Sequence, residues 1–368
     1  MDWGYMLGST FKTRCGWIWE IDRRVRAGQL PPAYQRTVVN LSAAYFFWGL
    51  LSRHLIRVRK SFSPVELLVS ITDWCPHQCR YCYNRSGQGE CKATYINLDR
   101  LNVILDEVKK AFGIRFAVIT GGEPFPYVLK LAQRRPDFTF FVYTSGNISE
   151  RACQEMVKLG NIIPALTIVD VNPEVHDYIR GSGSFQRIMT ARTRLQSHQL
   201  PWGWSLTSSR INFQQLVKGG LLDKLASYQP YFIRAMPWMP VGRSDEDQVL
   251  SLAEMAQVGS NIREAQQRGI VVFDYITAPV GYPCLAGGRR SFFVAPDGKG
   301  GLRISPCVFM EGEVSVPITF RVDGSSTLLE TLQNNPWFVS ARDLAGRHQC
   351  IIHANRSDWP QLVRGEKR

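Results

Sequence analysis

The chain has 368 residues, 45% of them hydrophobic and 20% charged, with 30 Gly and 20 Pro. That composition suits one large domain with an appendage or two ordinary domains, and it excludes collagen and wholesale disorder. Lysine and arginine total 44 against 31 aspartate and glutamate, a formal charge of +13, which invites nucleic acid, an anionic membrane or an acidic small molecule without choosing among them.

The charge is concentrated at the start. Residues 1–60 hold ten basic and three acidic side chains, a net +7. The opening MDWGYMLGSTFKTRC lacks the basic-then-apolar layout of a secretory signal, so a reducing cytoplasm is expected, where thiols stay available. Residues 38–51 are almost wholly apolar and are followed by Arg53, His54, Arg57, Arg59 and Lys60. The run falls short of the roughly 20 apolar residues a membrane-crossing helix needs. Two readings stay open: an interfacial helix within residues 36–60 lying on the inner membrane face, or a helix docked on the protein with its basic end in water.

From Glu66 onward, short runs rich in β-branched and aromatic residues predict strands at 66–72, 115–120, 138–144, 161–169, 202–208 and 231–236. Between them, 98–112 has helical apolar spacing with Asp99 near its start and Lys109 and Lys110 near its end, and 148–160 opens on Ser149 and closes on Gly160. Alternating strand and helix argues for an α/β fold with a parallel sheet and right-handed crossovers. Six units are fewer than the eight of a closed barrel, so the expected architecture is a partial (β/α)6 TIM-type barrel over 65–275. Residues 1–64 form an N-terminal helical extension. After 276 the texture turns to Pro and Gly, which predicts a small lobe over 276–368 holding Cys284, Cys307 and Cys350 and ending in a frayed tail.

Nine cysteines are an odd number, and Cys75, Cys79 and Cys82 crowd into C-x3-C-x2-C directly after the first predicted strand. A loop at a strand's C-terminal end is where barrel enzymes assemble their chemistry. Three thiolates there can each hold one iron of a [4Fe–4S] cubane and leave the fourth iron open to a small molecule. Zinc could use Cys79 and Cys82 but needs two further ligands and does not explain Cys75. Cys15, Cys91 and Cys153 fit no pattern and read as ordinary thiols.

These residues resemble the signature of the radical S-adenosylmethionine (radical SAM) enzymes, C-x3-C-x-aromatic-C, with Tyr81 as the aromatic. Gly121-Gly122-Glu123-Pro124, after the second predicted strand, is similar to the family's GGEP segment, which contacts the amino group of the cofactor's methionine. Glycines would let the backbone approach a ligand closely there. Ser145 stands in Thr144-Ser145-Gly146-Asn147, where the family often has T-N-G, and Glu174 to Gly181 with Phe185 resembles HD-x-x-RG-x-G-x-F. That resemblance gives Arg180 the cofactor's carboxylate, a match to its planar fork. The serine often found twelve residues before that arginine is Ile168 here. Ser205, Thr207 and Met236 occupy places where members touch ribose or adenine.

The C-terminal lobe resembles a shortened SPASM or twitch extension, which implies a second iron–sulfur cluster on Cys284, Cys307 and Cys350, with His353, water or substrate completing it. The resemblance implies a [4Fe–4S] cluster on Cys75, Cys79 and Cys82 that cleaves S-adenosylmethionine to a 5′-deoxyadenosyl radical. That radical takes hydrogen from a lipid, a tetrapyrrole or another anionic small molecule, or from a peptide, with a ferredoxin or flavodoxin as reductant. The competing reading is a non-catalytic iron–sulfur or zinc scaffold, which has no use for residues 121–124 or Arg180. Nucleic acid is set aside because charge is its only support.

Overall fold

The computed structural model describes residues 8–43, 64–87, 93–125, 127–276, 286–310 and 314–347. One ten-stranded sheet organises them, in the order β10-β9-β8-β1-β2-β3-β4-β5-β6-β7. The six expected strands are β1 (Glu66–Ser70), β2 (Phe116–Thr120), β3 (Thr139–Thr144), β4 (Ile162–Ile168), β5 (Gly203–Ser208) and β6 (Ile233–Pro237), paired parallel in succession. A seventh parallel strand that the sequence reading passed over, β7 (Val272–Asp274), adds to β6. On the other side β8 (Ser291–Pro296) pairs parallel with β1, and β9 (Leu302–Ser305) and β10 (Val316–Ile318) follow antiparallel. The sheet therefore runs on through residues after 276.

Local chemistry fixes the crossovers. The helix Leu98–Phe112 is capped by Asn97, whose side chain accepts from the amides of Asp99 and Arg100, and it stops at Gly113 with φ +70°. The helix Glu150–Leu159 is capped by Ser149, which accepts from Ala152, and stops at Gly160. β2 is buried along its whole length, and β3 and β4 nearly so. Such continuous apolar strands are what a parallel sheet covered on both faces requires.

The N-terminal segment lies at the end of the sheet where the strands begin. Trp17, on the helix Gly8–Arg26, meets Phe232 and Phe273 edge-on at 5.1 and 6.0 Å, beside the starts of β6 and β7. The Tyr34 hydroxyl donates to Ile162 O at 2.9 Å, and the Thr37 hydroxyl to Gly160 O at 2.7 Å. Residues 44–63, with most of the apolar run and its basic flank, lie outside the described residues, as do Cys91, Cys284, Cys350 and His353. No helix among the described residues is long and apolar enough to cross a membrane.

Candidate active site

Cys75, Cys79 and Cys82 sit on the loop that leaves the C-terminal end of β1, all free, with Cys79 buried and the other two half-buried. The loop is stitched to its surroundings by main-chain bonds. Gly122 N donates to Thr72 O at 2.6 Å and Glu123 N to Trp74 O at 2.7 Å. A Cβ on Gly122 would stand 2.0 Å from Trp74 O, and one on Gly121, where φ is +116°, would stand 2.3 Å from Thr72 O. The close approach these glycines permit, expected toward a ligand, is made here to the cysteine loop. From another side, Arg80 N donates to Ile179 O at 2.9 Å and Arg80 Nε to Tyr178 O at 3.0 Å, docking the loop on the helix Pro173–Arg180.

Burial pushes the Cys75 thiol up to about 12, and the charges of Glu123, Cys79 and Cys82 act in the same direction. A thiol in that setting becomes a thiolate only when a strong positive charge arrives, which a bound metal supplies. Among the described residues no group of three His, Cys, Asp or Glu side chains is placed to hold a single ion. A zinc site would need that convergence, whereas a cubane takes one thiolate on each of three irons. The three-thiol loop therefore fits a cluster.

Beside the loop, the sequence-predicted residues gather at the C-terminal ends of the strands. Arg180 is buried, and its Nη1 donates to the Tyr81 hydroxyl, which also meets the Thr207 side chain. Burial works against the Arg180 charge, but Tyr81 and Cys79 outweigh it and hold its pKa above the ordinary guanidinium value. The Tyr81 ring leans on Trp238 at 5.0 Å. Ser205 lies in register between Thr167 on β4 and Arg234 on β6, and Thr207 beside Met236, so these share the face of the sheet that carries Tyr81's partners. Ile168, by contrast, is fully buried in the hydrophobic core, and half-buried Thr167 is the β4 residue that shares the face of Ser205.

Glu123 ties two of the predicted segments together. One carboxylate oxygen accepts from the Thr144 hydroxyl at 2.7 Å, and the other accepts from Ser145 N at 2.9 Å and from the Ser145 hydroxyl. Burial raises its pKa even against these donors. Ser145 thus brings two donors to one oxygen, which accounts for serine at this place. Pro124, also buried, accepts from Val128 N at the start of the next helix.

The segment around Arg180 divides its labour. Asp177 accepts from Gly183 N, Phe185 N and the Ser184 hydroxyl at 2.6, 2.7 and 2.9 Å, so it caps the helix Ser184–Ser197, whose own N-cap is a glycine without a side chain. His176 is fully buried, accepts from Val169 N at 3.4 Å and meets the Phe185 ring. Of the HD and RG residues, only Arg180 reaches the site. Sequence reasoning missed the turn after β6, where Trp238, Gly242, Arg243 and Ser244 lie against the cysteine loop; its only sequence signal was a Pro-Val-Gly-Arg-Ser run beyond a strand.

Residues 69–207, from β1 through Thr207, match the family model of the Radical SAM superfamily. The chain belongs to that superfamily. Radical SAM enzymes use a [4Fe–4S] cluster and S-adenosylmethionine. Over 258 residues the chain is 26% identical to the PqqA peptide cyclase of Granulibacter bethesdensis, covering 64% of this chain and 66% of that protein. Over 277 residues it is 22% identical to the sporulation killing factor maturation protein SkfB of Bacillus subtilis, covering 70% and 64%. The chain thus spans about two thirds of the length of these relatives. Two solved structures share the fold. SuiB of Streptococcus suis, bound to its precursor peptide SuiA, superposes with a TM-score of 0.63 at 14% identity over 88% of this chain and 78% of that one. The enzyme anSMEcpe with bound AdoMet gives 0.57 at 15% identity over 82% and 85%.

Proposed function

We propose that this radical SAM chain modifies a peptide by hydrogen-atom abstraction. The observation that carries the reading is the three-thiol loop at the end of β1, joined by main-chain bonds to Gly122 and Glu123 on one side and to the helix bearing Arg180 on another. When bound, the cluster and S-adenosylmethionine, given an electron from a ferredoxin or flavodoxin, supply a 5′-deoxyadenosyl radical.

In this reading Cys75, Cys79 and Cys82 hold the cluster, Gly121 to Pro124 and Ser145 border the cofactor's amino end, and Arg180 receives its carboxylate. Tyr81, Ser205, Thr207 and Met236 border the nucleoside. The strands curve so that Arg234 on β6 lies over Phe141 and Tyr143 on β3 at 4.7 and 5.3 Å, and over Tyr275 at 4.7 Å. β3 and β6 are separated by two strands, so these contacts cross the lumen. Half-buried Tyr143, Met236 and Tyr275 are then the surfaces a substrate meets. Trp17 and its aromatic neighbours stand at the opposite end and keep water from entering there.

The peptide class is supported by the names of the relatives, a PqqA peptide cyclase and a killing factor maturation protein, and by the fold shared with SuiB, whose structure holds a precursor peptide. The test is anaerobic reconstitution with iron and sulfide, then dithionite and S-adenosylmethionine. The reading requires 5′-deoxyadenosine from the wild-type protein and none from Cys79→Ala, and zinc in place of iron would refute it. A second cluster on Cys284, Cys307 and Cys350 would raise the iron from about four to about eight per chain.

A further inference from the structure

The cysteine loop runs from Cys75 to Gly87 without helix or strand, so its carbonyls need donors from elsewhere. Within the loop the available bonds are long: Cys82 N to Cys79 O and Arg85 N to Cys82 O, both at 3.3 Å. The turn after β6 provides shorter ones. Arg243 Nε donates to Cys79 O at 3.1 Å, Arg243 Nη2 to Ser86 O at 2.8 Å and Arg243 N to Cys82 O at 3.0 Å. The Ser244 hydroxyl donates to Tyr81 O at 3.2 Å. A Cβ on Gly242, where φ is +70°, would stand 2.3 Å from Cys82 O, so the turn is pressed directly on the loop. Among the described residues Arg243 forms no ion pair with a carboxylate, and its guanidinium spends its donors on carbonyls.

We propose that Arg243 is a positioning residue for the cluster, holding Cys79 and Cys82 in ligating conformation through their carbonyls and placing one fixed positive charge beside them. The inference rests on the cluster assignment but adds a residue from outside the matched segment. Two side-chain bonds and one main-chain bond converge on both later cysteines and on the end of the loop. The geometry is that of a planar fork spanning two carbonyls, which a lysine could not reproduce. A fixed cation beside a cluster favours its reduced, more negative form, because net charge and hydrogen bonding set the potential of iron–sulfur centres.

The test compares Arg243→Gln and Arg243→Lys with wild type in two measurements. In the metal-free protein, the rate at which Cys79 and Cys82 react with iodoacetamide, read by peptide mass mapping, rises about tenfold in both variants, as expected for losing one to two hydrogen bonds of about 1 kcal/mol each. Buried Cys153 serves as the internal control for a folded barrel and stays unreactive. In reconstituted protein, the cluster's midpoint potential, read by electron paramagnetic resonance, falls in the glutamine variant and stays near wild type in the lysine variant. Should Cys153 also become reactive, Ser244→Ala removes one loop contact without a charge change and is expected to speed labelling of Cys82 by severalfold. Labelling rates within twofold of wild type in all folded variants would overturn the positioning role, and an unchanged potential in the glutamine variant would overturn the effect of charge. Wild-type protein that took up no iron would instead refute the cluster itself, and the labelling measurement would still decide whether Arg243 clamps the loop.

Discussion

Gly122→Ala puts the site's construction under direct load. The added methyl would stand 2.0 Å from Trp74 O, 2.6 Å from Trp74 C and 3.0 Å from Asp73 C, all main-chain atoms that cannot swing aside. Carbon contacts are comfortable only near 3.5 to 4 Å, so the two backbones must part by more than about 1 Å. That separation stretches the 2.6 Å bond from Gly122 N to Thr72 O and the 2.7 Å bond from Glu123 N to Trp74 O past usable length. Two lost bonds at about 1 kcal/mol each, with about 1 to 3 kcal/mol of overpacking, give a penalty of about 3 to 5 kcal/mol. The strain falls on the cysteine loop, because the ladder from β1 to β6 is untouched. Far-ultraviolet circular dichroism is expected to stay near wild type, while iron bound after reconstitution and the absorbance near 400 nm drop severalfold. A variant that loaded full iron and released 5′-deoxyadenosine at the wild-type rate would show that the glycines do not serve the cysteine loop.

Three further expectations come from residues around the site. Asp177→Ala should cost about 1 to 2 kcal/mol, the usual range for a lost helix cap, seen as a lower urea midpoint with iron content unchanged; loss of iron at normal stability would contradict the capping role. Burial and the nearby Arg180 and Arg187 hold His176 down to about 3, with Asp177 opposing them. Because the unfolded chain takes up the proton first, stability is full above about pH 6.5 and falls as pH drops toward 3, by up to about 1.4 kcal/mol per pH unit. His176→Asn should flatten that slope in urea titrations between pH 6.5 and 4, and an unchanged slope would refute the assignment. Trp17→Ala, at a side chain 2% exposed between Phe232 and Phe273, should cost about 3 to 5 kcal/mol in chemical denaturation; a cost below about 1 kcal/mol would mean the N-terminal helix is not seated at the strand starts.

What the sequence disclosed depended on whether its signals were local. Strands β1 to β6 were legible because each is a short apolar run with turn chemistry on both sides, and Asn97, Ser149 and Gly160 mark helix ends by local hydrogen bonding. β7 escaped because three residues carry little pattern and its partner, β6, is forty residues away in the chain. The spacing of Cys75, Cys79 and Cys82 announced the site, but the reasons for its neighbours are contacts between distant segments. Gly121 and Gly122 face Thr72 and Trp74, and Asp177 serves a helix rather than a ligand. Ser145 looked like a departure from pattern, and only the two donors it brings to Glu123 explain it.

A reactive intermediate in a barrel is protected only if both ends of the lumen are controlled, and the chain treats the two ends differently. Where the strands begin, closure is apolar and comes from another part of the chain: Trp17 against Phe232 and Phe273, with Phe141 touching Phe232 at 5.0 Å. One step further in, the lining turns to Arg234 with Tyr143 and Tyr275, a cation held over aromatic faces in a position water would otherwise claim. Where the strands end, closure is polar and built of main chain, with the cysteine loop pinned between the turns after β2 and β6. Access from the first end would require Trp17 to leave a fully packed site, whereas access at the second requires movement only of turns. A substrate therefore enters past the cysteine loop, on the side where Tyr81 and Arg180 already stand, and the radical chemistry proposed here takes place between that entrance and the Arg234 layer.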